Sequence, residues 1–260
     1  MTAIGLNGVS HTFETRGKAL RALEGIDLEI GENEFVTLVG RSGCGKSTLL
    51  RLMAGLLRPT RGEVVIGGRS VTRPRRDVSL MFQRSALLPW RTVIENVMLP
   101  VDILRLDRRA HRARAEQLLA LTGLEGFEDR RPNELSGGMQ QRVALCRALV
   151  HDPSVLLMDE PFAALDALTR EELSLELQRI WGEERKTIVF VTHSIQEATL
   201  LADRIVVMSP RPGRIARIIP VGADRPRSLG LTAHSEELDR VGAELHELLF
   251  ARELEPRVSA

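Results

Sequence analysis

The stretch "LVGRSGCGKSTLLRLMAGL", Leu38 to Leu56, places three closely spaced glycines and a lysine directly before a run with helical periodicity. It matches the pattern G-x-x-x-x-G-K-[ST] from Gly40 to Ser47, and the residues before it read as a strand. Glycines let backbone N–H groups curl around phosphate oxygens, and the start of a helix adds a partial positive charge. The pattern predicts a nucleotide-binding loop in which Lys46 contacts phosphate and the Ser47 hydroxyl reaches Mg²⁺.

Short β-branched runs alternate with helical stretches along most of the chain, which predicts an α/β fold around a mostly parallel sheet. The predicted strands are Glu34–Gly40, Asp77–Gln83, Ser154–Glu160, Thr187–His193 and Asp203–Ser209. The predicted helices are Lys46–Leu56, Arg109–Leu121, Gly138–His151, Leu168–Glu184 and Ile195–Ala202. Gly8 to Glu34 reads as a small antiparallel segment, and beyond Pro220 the pattern weakens until one amphipathic helix near Ser235 to Phe250.

Composition limits the classes of function that fit. With 43% hydrophobic residues among 260, the chain can bury a sizeable core. The net charge of +1 gives no overall basic field that would favour nucleic acid. The apolar runs fall far short of the roughly 20 residues that a membrane helix needs, so a role at a membrane would require another chain. The two cysteines, with no secretory segment before them, favour a reducing cytosolic setting.

Two adjacent carboxylates, Asp159 and Glu160, end the predicted strand "SVLLMDE". Successive strand residues point to opposite sides, so Asp159 can face Mg²⁺ while Glu160 faces a water near the γ-phosphate. A metal that neutralises phosphate charge and a carboxylate that positions water form a hydrolase arrangement. The alternative is a polar strand end leading into a turn at Pro161.

A second glycine-rich helix start lies in "LSGGMQQRVALCRALV", Leu135 to Val150. Ser136, Gly137 and Gly138 open the predicted helix and suggest a second anion site at a helix terminus. The alternative is that Ser136 is an ordinary helix cap.

Taken together, "GRSGCGKST", the glutamine of "MFQ", "LSGGMQQR", "VLLMDEPFAALD" and "FVTH" resemble the motif series of ATP-binding cassette (ABC) ATPases, in that family's order, over roughly Gly5 to Arg217. The resemblance implies a P-loop NTPase fold with a RecA-like parallel-sheet core, a small N-terminal antiparallel β subdomain and a helical subdomain. We accordingly expect an ABC ATPase domain over 1–220, with the helical subdomain inserted at about 86–150, and a C-terminal extension over 221–260 that contains the amphipathic helix.

The resemblance also implies a role for each motif residue. ATP would be held by Phe13, Gly40, Arg41, Ser42, Gly43, Cys44, Gly45, Lys46, Ser47 and Thr48, and by Ser136, Gly137 and Gly138 of the second subunit of a head-to-tail homodimer. Mg²⁺ would be held by Ser47, Gln83 and Asp159. Glu160 would act as general base and His193 would contact the γ-phosphate, with Gln83 and Lys46 completing the catalytic set.

Two positions depart from the family pattern. Ala163 stands where a serine is common in the family, so a serine hydroxyl of the dimer interface is absent. The chain has no tyrosine, and Phe13 occupies the position of the aromatic residue that stacks on adenine. Stacking requires the face of an aromatic ring and does not need a hydroxyl, so phenylalanine can replace tyrosine in this role. The alternative is that Phe13 anchors the core of the first sheet.

Within the family, "LLPWRTVIENVMLP" and "VVMSPRPGRI" resemble the ATPase subunits of bacterial nitrate, sulfonate and taurine importers. That resemblance implies two integral-membrane permease subunits that contact the Gln83 to Trp90 region, a separate periplasmic or extracellular substrate-binding protein, and a position on the cytoplasmic face of the plasma membrane. Trp90 would anchor the permease contact, or else belong to the core of the helical subdomain. The transported solute cannot be read from this chain.

Four other classes of protein share parts of this motif pattern. ABC ATPases of DNA repair or translation usually carry long coiled-coil insertions or two cassettes, and neither pattern occurs in this sequence. A regulatory module that does not hydrolyse nucleotide would lose its base, yet Glu160 and His193 are present. A P-loop kinase would lack "LSGGMQ", and an export cassette is opposed only by the "PWRTV" and "SPRPGRI" segments.

Overall fold

The computed structural model describes residues 2–15, 18–227 and 236–250. Within these residues it contains a six-stranded sheet, a four-stranded sheet and the helices around them. The strands are β1 (Thr2–Thr15), β2 (Lys18–Gly31), β3 (Phe35–Gly40), β4 (Arg61–Ile66), β5 (Arg69–Ser70), β6 (Val78–Met81), β7 (Val155–Asp159), β8 (Thr187–Val191), β9 (Arg204–Met208) and β10 (Ile215–Pro220). The α-helices are α1 (Lys46–Met53), α2 (Val93–Val97), α3 (Leu99–Leu104), α4 (Arg108–Leu121), α5 (Gly137–Leu149), α6 (Ala167–Glu184), α7 (Ile195–Leu201) and α8 (Glu236–Phe250), and a short 3₁₀ helix covers Pro132–Glu134.

The six-stranded sheet has the order β10-β9-β3-β8-β7-β6. All its strands except β10 run parallel to their neighbours, and β3 and β8 are buried along their whole length. Strands covered on both faces read as continuous apolar runs, which accounts for the apolar sequences of β3 and β8. In such sheets ligands bind outside the carboxyl ends of the strands. Gly40, Asp159 and Val191 end β3, β7 and β8 at one edge, which places the sequence motifs together.

The four-stranded sheet is antiparallel, with the order β2-β1-β4-β5. Its β1 and β2 pair along nearly their full length, from Thr2 opposite Gly31 to Thr15 opposite Lys18. The predicted antiparallel segment is therefore confirmed, and the structure extends it with β4 and β5. This sheet brings Phe13 to the phosphate loop.

A helical layer is inserted between β6 and β7. Buried apolar side chains of its helices, such as Val97, Leu118 and Leu145, form one core cluster with Phe162 and Phe190 beside the main sheet. The subdomain boundaries of about 86–150 remain a proposal.

The predicted elements differ from the observed ones mainly at their ends and in the short pieces. The helix predicted to continue to Leu56 ends at Met53, because Gly55 has a left-handed φ of 71° and a Cβ there would lie 2.4 Å from the Arg73 carbonyl oxygen. Elements α2, α3, β4, β5 and β10 were not predicted.

The C-terminal helix α8 packs on the outer face of the main sheet. Val241 and Leu245 are fully buried against Val39, Ile205 and Ile219. The predicted start at Ser235 lies outside the described residues, as do 228–234 and 251–260 of the proposed extension. Across the described parts of the chain, the helices are all too short or too polar to cross a membrane.

Candidate active site

A cavity of about 380 Å³ opens at the carboxyl edge of the parallel strands, beside the first sheet. Side chains from both sheets and from the phosphate loop surround it. Its lining residues are Phe13, Leu20, Ala22, Ser42, Gly43, Gly45, Lys46, Ser47, Thr48, Gln83, Asp159, Glu160 and Arg211. Ten of these were predicted site residues, while Leu20, Ala22 and Arg211 were missed.

The phosphate loop joins β3 to α1 through a backbone that only glycine fits well. Gly45 has a φ of 102°, and a Cβ there would lie 2.6 Å from Leu23 Cδ2. A Cβ at Gly40 would lie 2.8 Å from the Cys44 sulfur and 2.9 Å from the Met208 carbonyl oxygen. Because the loop is packed this closely, its backbone N–H groups are held near the cavity wall at the start of α1.

Lys46 is buried at the first position of α1 and its ammonium folds back over the loop. Nζ donates to the Gly40 carbonyl at 2.7 Å and to the Arg41 carbonyl at 3.4 Å, and lies 3.8 Å from the Cys44 sulfur. The amine therefore stands beside the loop N–H groups as a point charge suited to phosphate oxygens.

Ser47 and Asp159 meet across the cavity although 112 residues separate them. The Ser47 hydroxyl donates to Asp159 Oδ1 at 2.8 Å. Burial raises the pKa of Asp159 above its usual range; the Ser47 hydrogen bond opposes this shift, and the nearby Glu160 charge adds to it. A hydroxyl and a carboxylate are hard oxygen donors, which is the set that Mg²⁺ prefers. Within the described residues no three His, Cys, Asp or Glu side chains form a metal cluster.

Glu160 lies where the ends of β6, β7 and β8 converge. Its Oε2 is 3.4 Å from Gln83 Nε2 and 3.6 Å from His193 Nδ1. The Glu160 backbone has a positive φ of 47°, and its N–H donates to the Val191 carbonyl at 3.0 Å. A non-glycine residue in this conformation is uncommon and typical of functional sites. The structure thus brings together the predicted general base Glu160, the predicted γ-phosphate contact His193 and Gln83, although His193 does not line the cavity.

Buried polar contacts position these groups, and the sequence patterns did not indicate them. Gln141 on α5 donates to the Gln83 carbonyl at 2.9 Å, which ties the helical layer to the cavity. The Thr192 hydroxyl donates to the Glu197 carboxylate and accepts from the Ser194 N–H, which fixes the backbone on either side of His193. Burial raises the pKa of Glu197.

The remaining predicted ATP contacts lie away from this cavity. Ser136 caps α5 and accepts from the Met139 N–H at 3.3 Å; it is exposed, as is Gly137. Gly138 faces Thr169, whose Cγ2 would lie 2.7 Å from an added Cβ. Among the loop residues, Gly40, Arg41 and Cys44 do not line the cavity. The Cys44 side chain is buried beneath the loop, and Arg41 Nε donates to the Leu249 carbonyl at 3.1 Å.

The alternatives for the two aromatic residues are resolved by their exposure. Phe13 is half-buried, lines the cavity and packs edge-on against His11 with 4.5 Å between ring centroids. The structure therefore does not support a core anchor at this position. Trp90 is 69% exposed, so it is not a core residue of the helical layer.

A second cleft of about 380 Å³ follows the free edge of β6. Its lining includes Phe82, Ile103 and Leu104, with Arg147 and His151 from α5. Ala86 is the one residue of the Gln83 to Trp90 region that lines this cleft.

Comparison with known proteins gives consistent results. Residues 23–163 match the family described as ABC transporter, a segment that includes Lys46, Gln83 and Glu160 but neither Phe13 nor His193. The chain is 45% identical to the taurine import ATP-binding protein TauB of Burkholderia thailandensis, covering 95% of each protein. It is 43% identical to the aliphatic sulfonates import ATP-binding protein SsuB of Bacillus cereus, covering 86% of this chain and 88% of that one. Among solved structures, a dimeric post-hydrolysis state of the ATP-binding cassette MJ0796 bound to ADP and Pi is 35% identical with a TM-score of 0.75, covering 85% of this chain and all of that one.

Proposed function

The chain belongs to the ABC transporter family of ATPases, and on that premise we propose that it powers the import of a small anionic or zwitterionic solute through separate permease subunits. As an ABC importer ATPase it binds and hydrolyses ATP. The solute class we propose is that of aliphatic sulfonates, taurine and nitrate. The names of two similar proteins, a taurine importer and an aliphatic sulfonates importer, support the first two of these.

The observation that carries the mechanism is the convergence of Gln83, Glu160 and His193 at three strand ends. In the mechanism we propose, Lys46 and the loop N–H groups bind the β- and γ-phosphates. Glu160 accepts a proton from the water that attacks the γ-phosphate, and His193 orients that phosphate.

Ser47, Gln83 and Asp159 would hold Mg²⁺, which neutralises phosphate charge when bound. Ionised Asp159 is costly in the ATP-free protein because burial opposes its charge. The same carboxylate is well suited to a site that receives a cation.

We propose that the functional unit is a homodimer with ATP at the interface. Ser136 and Gly137 are exposed at the start of α5 and do not line the cavity of their own chain, which leaves them available to a second copy. Two solved structures of one similar cassette, MJ0796, are described as dimeric, which supports the proposal. ATP would then bind between the phosphate loop of one subunit and Ser136 to Gly138 of the other.

The cleft along β6 is our proposed permease contact. The side chains of Phe82 and Ile103 are 44% and 69% exposed there. Exposing neighbouring large apolar side chains to water is unfavourable, so we expect a partner to cover them. Exposed Trp90 lies on the same connection after Gln83 and would add an aromatic anchor. These contacts would hold the protein at the cytoplasmic face of the membrane, with a substrate-binding protein acting on the other side.

The test is ATPase activity of the protein reconstituted with its permease and substrate-binding protein in lipid vesicles. We expect taurine, an alkanesulfonate or nitrate to stimulate hydrolysis, with Glu160→Gln in the same vesicles as the control for background activity. Stimulation by one solute would identify the cargo. If none stimulates and no permease co-purifies, the import proposal fails, and an ABC ATPase not coupled to transport becomes the better reading.

A further inference from the structure

The turn between β9 and β10, residues 209–214, is wedged between the first sheet and the phosphate loop. The Gly213 N–H donates to the Ala22 carbonyl at 2.9 Å, and the Gly213 carbonyl accepts from the Glu24 N–H at 3.0 Å. A Cβ at position 213 would lie 1.9 Å from the Cys44 carbonyl oxygen, so only glycine allows this approach. The turn therefore has a fixed position beside the cavity.

Arg211 extends from this turn onto the cavity wall. Its Nη2 and Nε donate to the Gly43 carbonyl at 3.1 and 3.3 Å, and the side chain lines the cavity. A guanidinium has five N–H donors and two flat faces, so these two bonds leave donors and a face available. Of the described residues that line the cavity, only Lys46 and Arg211 are cationic.

The surroundings of Arg211 differ from those of Lys46. Lys46 shares the cavity with Ser47, Asp159 and Glu160, the end suited to phosphate and metal. The turn that carries Arg211 is bonded to β2 at Ala22, and the apolar lining residues Phe13, Leu20 and Ala22 all come from β1 and β2. An apolar wall with one aromatic ring and one guanidinium suits a flat heteroaromatic base.

We propose that Arg211 binds the purine base of the nucleotide, with its guanidinium stacked on the ring system alongside the contact made by Phe13. The inference rests on the proposed ATP site in this cavity and adds a base-binding residue to it. Guanidinium groups stack on aromatic faces through cation–π attraction and weak hydration of the planar cation. Arg211 thereby joins base binding to the phosphate loop, because the same side chain bonds the Gly43 carbonyl.

The experiment compares a ligand that has the base with one that lacks it. Binding of ATP and of tripolyphosphate, both with Mg²⁺, is measured by calorimetry on the full chain for the wild type and for Arg211→Gln. We expect Arg211→Gln to weaken ATP binding about tenfold, in the range of a desolvated cation–π contact, and to leave tripolyphosphate binding within about threefold. Retained tripolyphosphate binding also shows that the phosphate loop of the variant is folded.

Arg214→Gln is the matched control. Arg214 is an exposed arginine of the same turn that pairs with Glu24 at 2.7 Å and does not line the cavity, so we expect both ligands to bind as in the wild type. Equal loss of ATP and tripolyphosphate in Arg211→Gln would overturn the proposal, because Arg211 would then only support the phosphate loop. Unchanged ATP binding would overturn it as well. Failure of the wild type to bind ATP would instead count against the proposed site as a whole.

Discussion

Asp159 is a residue whose charge has a stability cost in the absence of ligand. Burial raises its pKa, so the folded protein binds this proton more tightly than the unfolded chain does. Stability is therefore lost as the pH rises from the unfolded pKa through the folded one, and the cost is complete above the folded pKa. Mg²⁺ and ATP phosphates would offset it when bound.

We expect Asp159→Asn to raise the Tm of the nucleotide-free protein at neutral pH, because the amide removes the buried charge and still accepts from Ser47. Below the unfolded pKa both proteins carry a neutral side chain and the difference should vanish. Thermal unfolding from pH 3 to 8 measures this, and a variant that is less stable at every pH would contradict it.

The same Asp159→Asn substitution should lower the rate of ATP hydrolysis at least about 100-fold, since a metal contributes several kcal/mol to such a transition state.

Sequence reasoning located residues whose position in the fold follows from local spacing; their roles stay predictions. Lys46 and Ser47 belong to one short pattern, and Asp159, Glu160 and His193 follow buried parallel strands that must end at one edge. Arg211 was missed because its partner Gly43 is 168 residues away, and nothing in either segment indicates the other. Gln141 was missed for the same reason, since its bond to Gln83 spans 58 residues.

At the level of elements, the length of each element and the extent of its burial determined whether the sequence could predict it. The buried strands β3, β7 and β8 and the long helices α4 and α6 were found because several apolar positions repeat along each. Helices α2 and α3 have five and six residues, too few for a periodic signal. Edge strand β10 has a single buried residue, Ile219, among mostly exposed neighbours, which is too weak a pattern to predict a strand. Its pairing with β9 identifies it.

Helix α8 is the element whose contribution is easiest to measure. Leu245 is fully buried against the main sheet, while Leu248, one turn further, is 43% exposed. We expect Leu245→Ala to lower the free energy of unfolding by about 2–5 kcal/mol and the matched Leu248→Ala by less than about 1 kcal/mol. Urea unfolding compares the two variants. Equal small effects would mean that α8 is not docked in solution.

At the scale of the whole molecule, the proposed homodimer makes hydrolysis and assembly opposing events. We expect Glu160→Gln to keep ATP binding and to lower kcat by about 10²- to 10⁴-fold, the usual contribution of a general base. Because ATP then persists at the interface, the variant should form a dimer with ATP and return to monomer without it. Light scattering after size exclusion measures the mass, and Ser136→Arg in the same background should prevent the dimer. A Glu160→Gln protein that stays monomeric with ATP would refute the arrangement.

The cleft and the cavity meet at a single peptide bond. Phe82 lines the cleft and Gln83 lines the cavity, and the Gln83 carbonyl is held by Gln141 from the helical layer. Consecutive Cα atoms stay about 3.8 Å apart across a planar peptide unit, so we expect a displacement of the Phe82 backbone to change the position of Gln83. A small apolar inhibitor bound in the cleft should therefore block ATP turnover without competing with ATP. Its selectivity among cassettes would depend on cleft residues such as Ile103 and His151. These residues do not line the ATP cavity, so ATP hydrolysis does not dictate their identity.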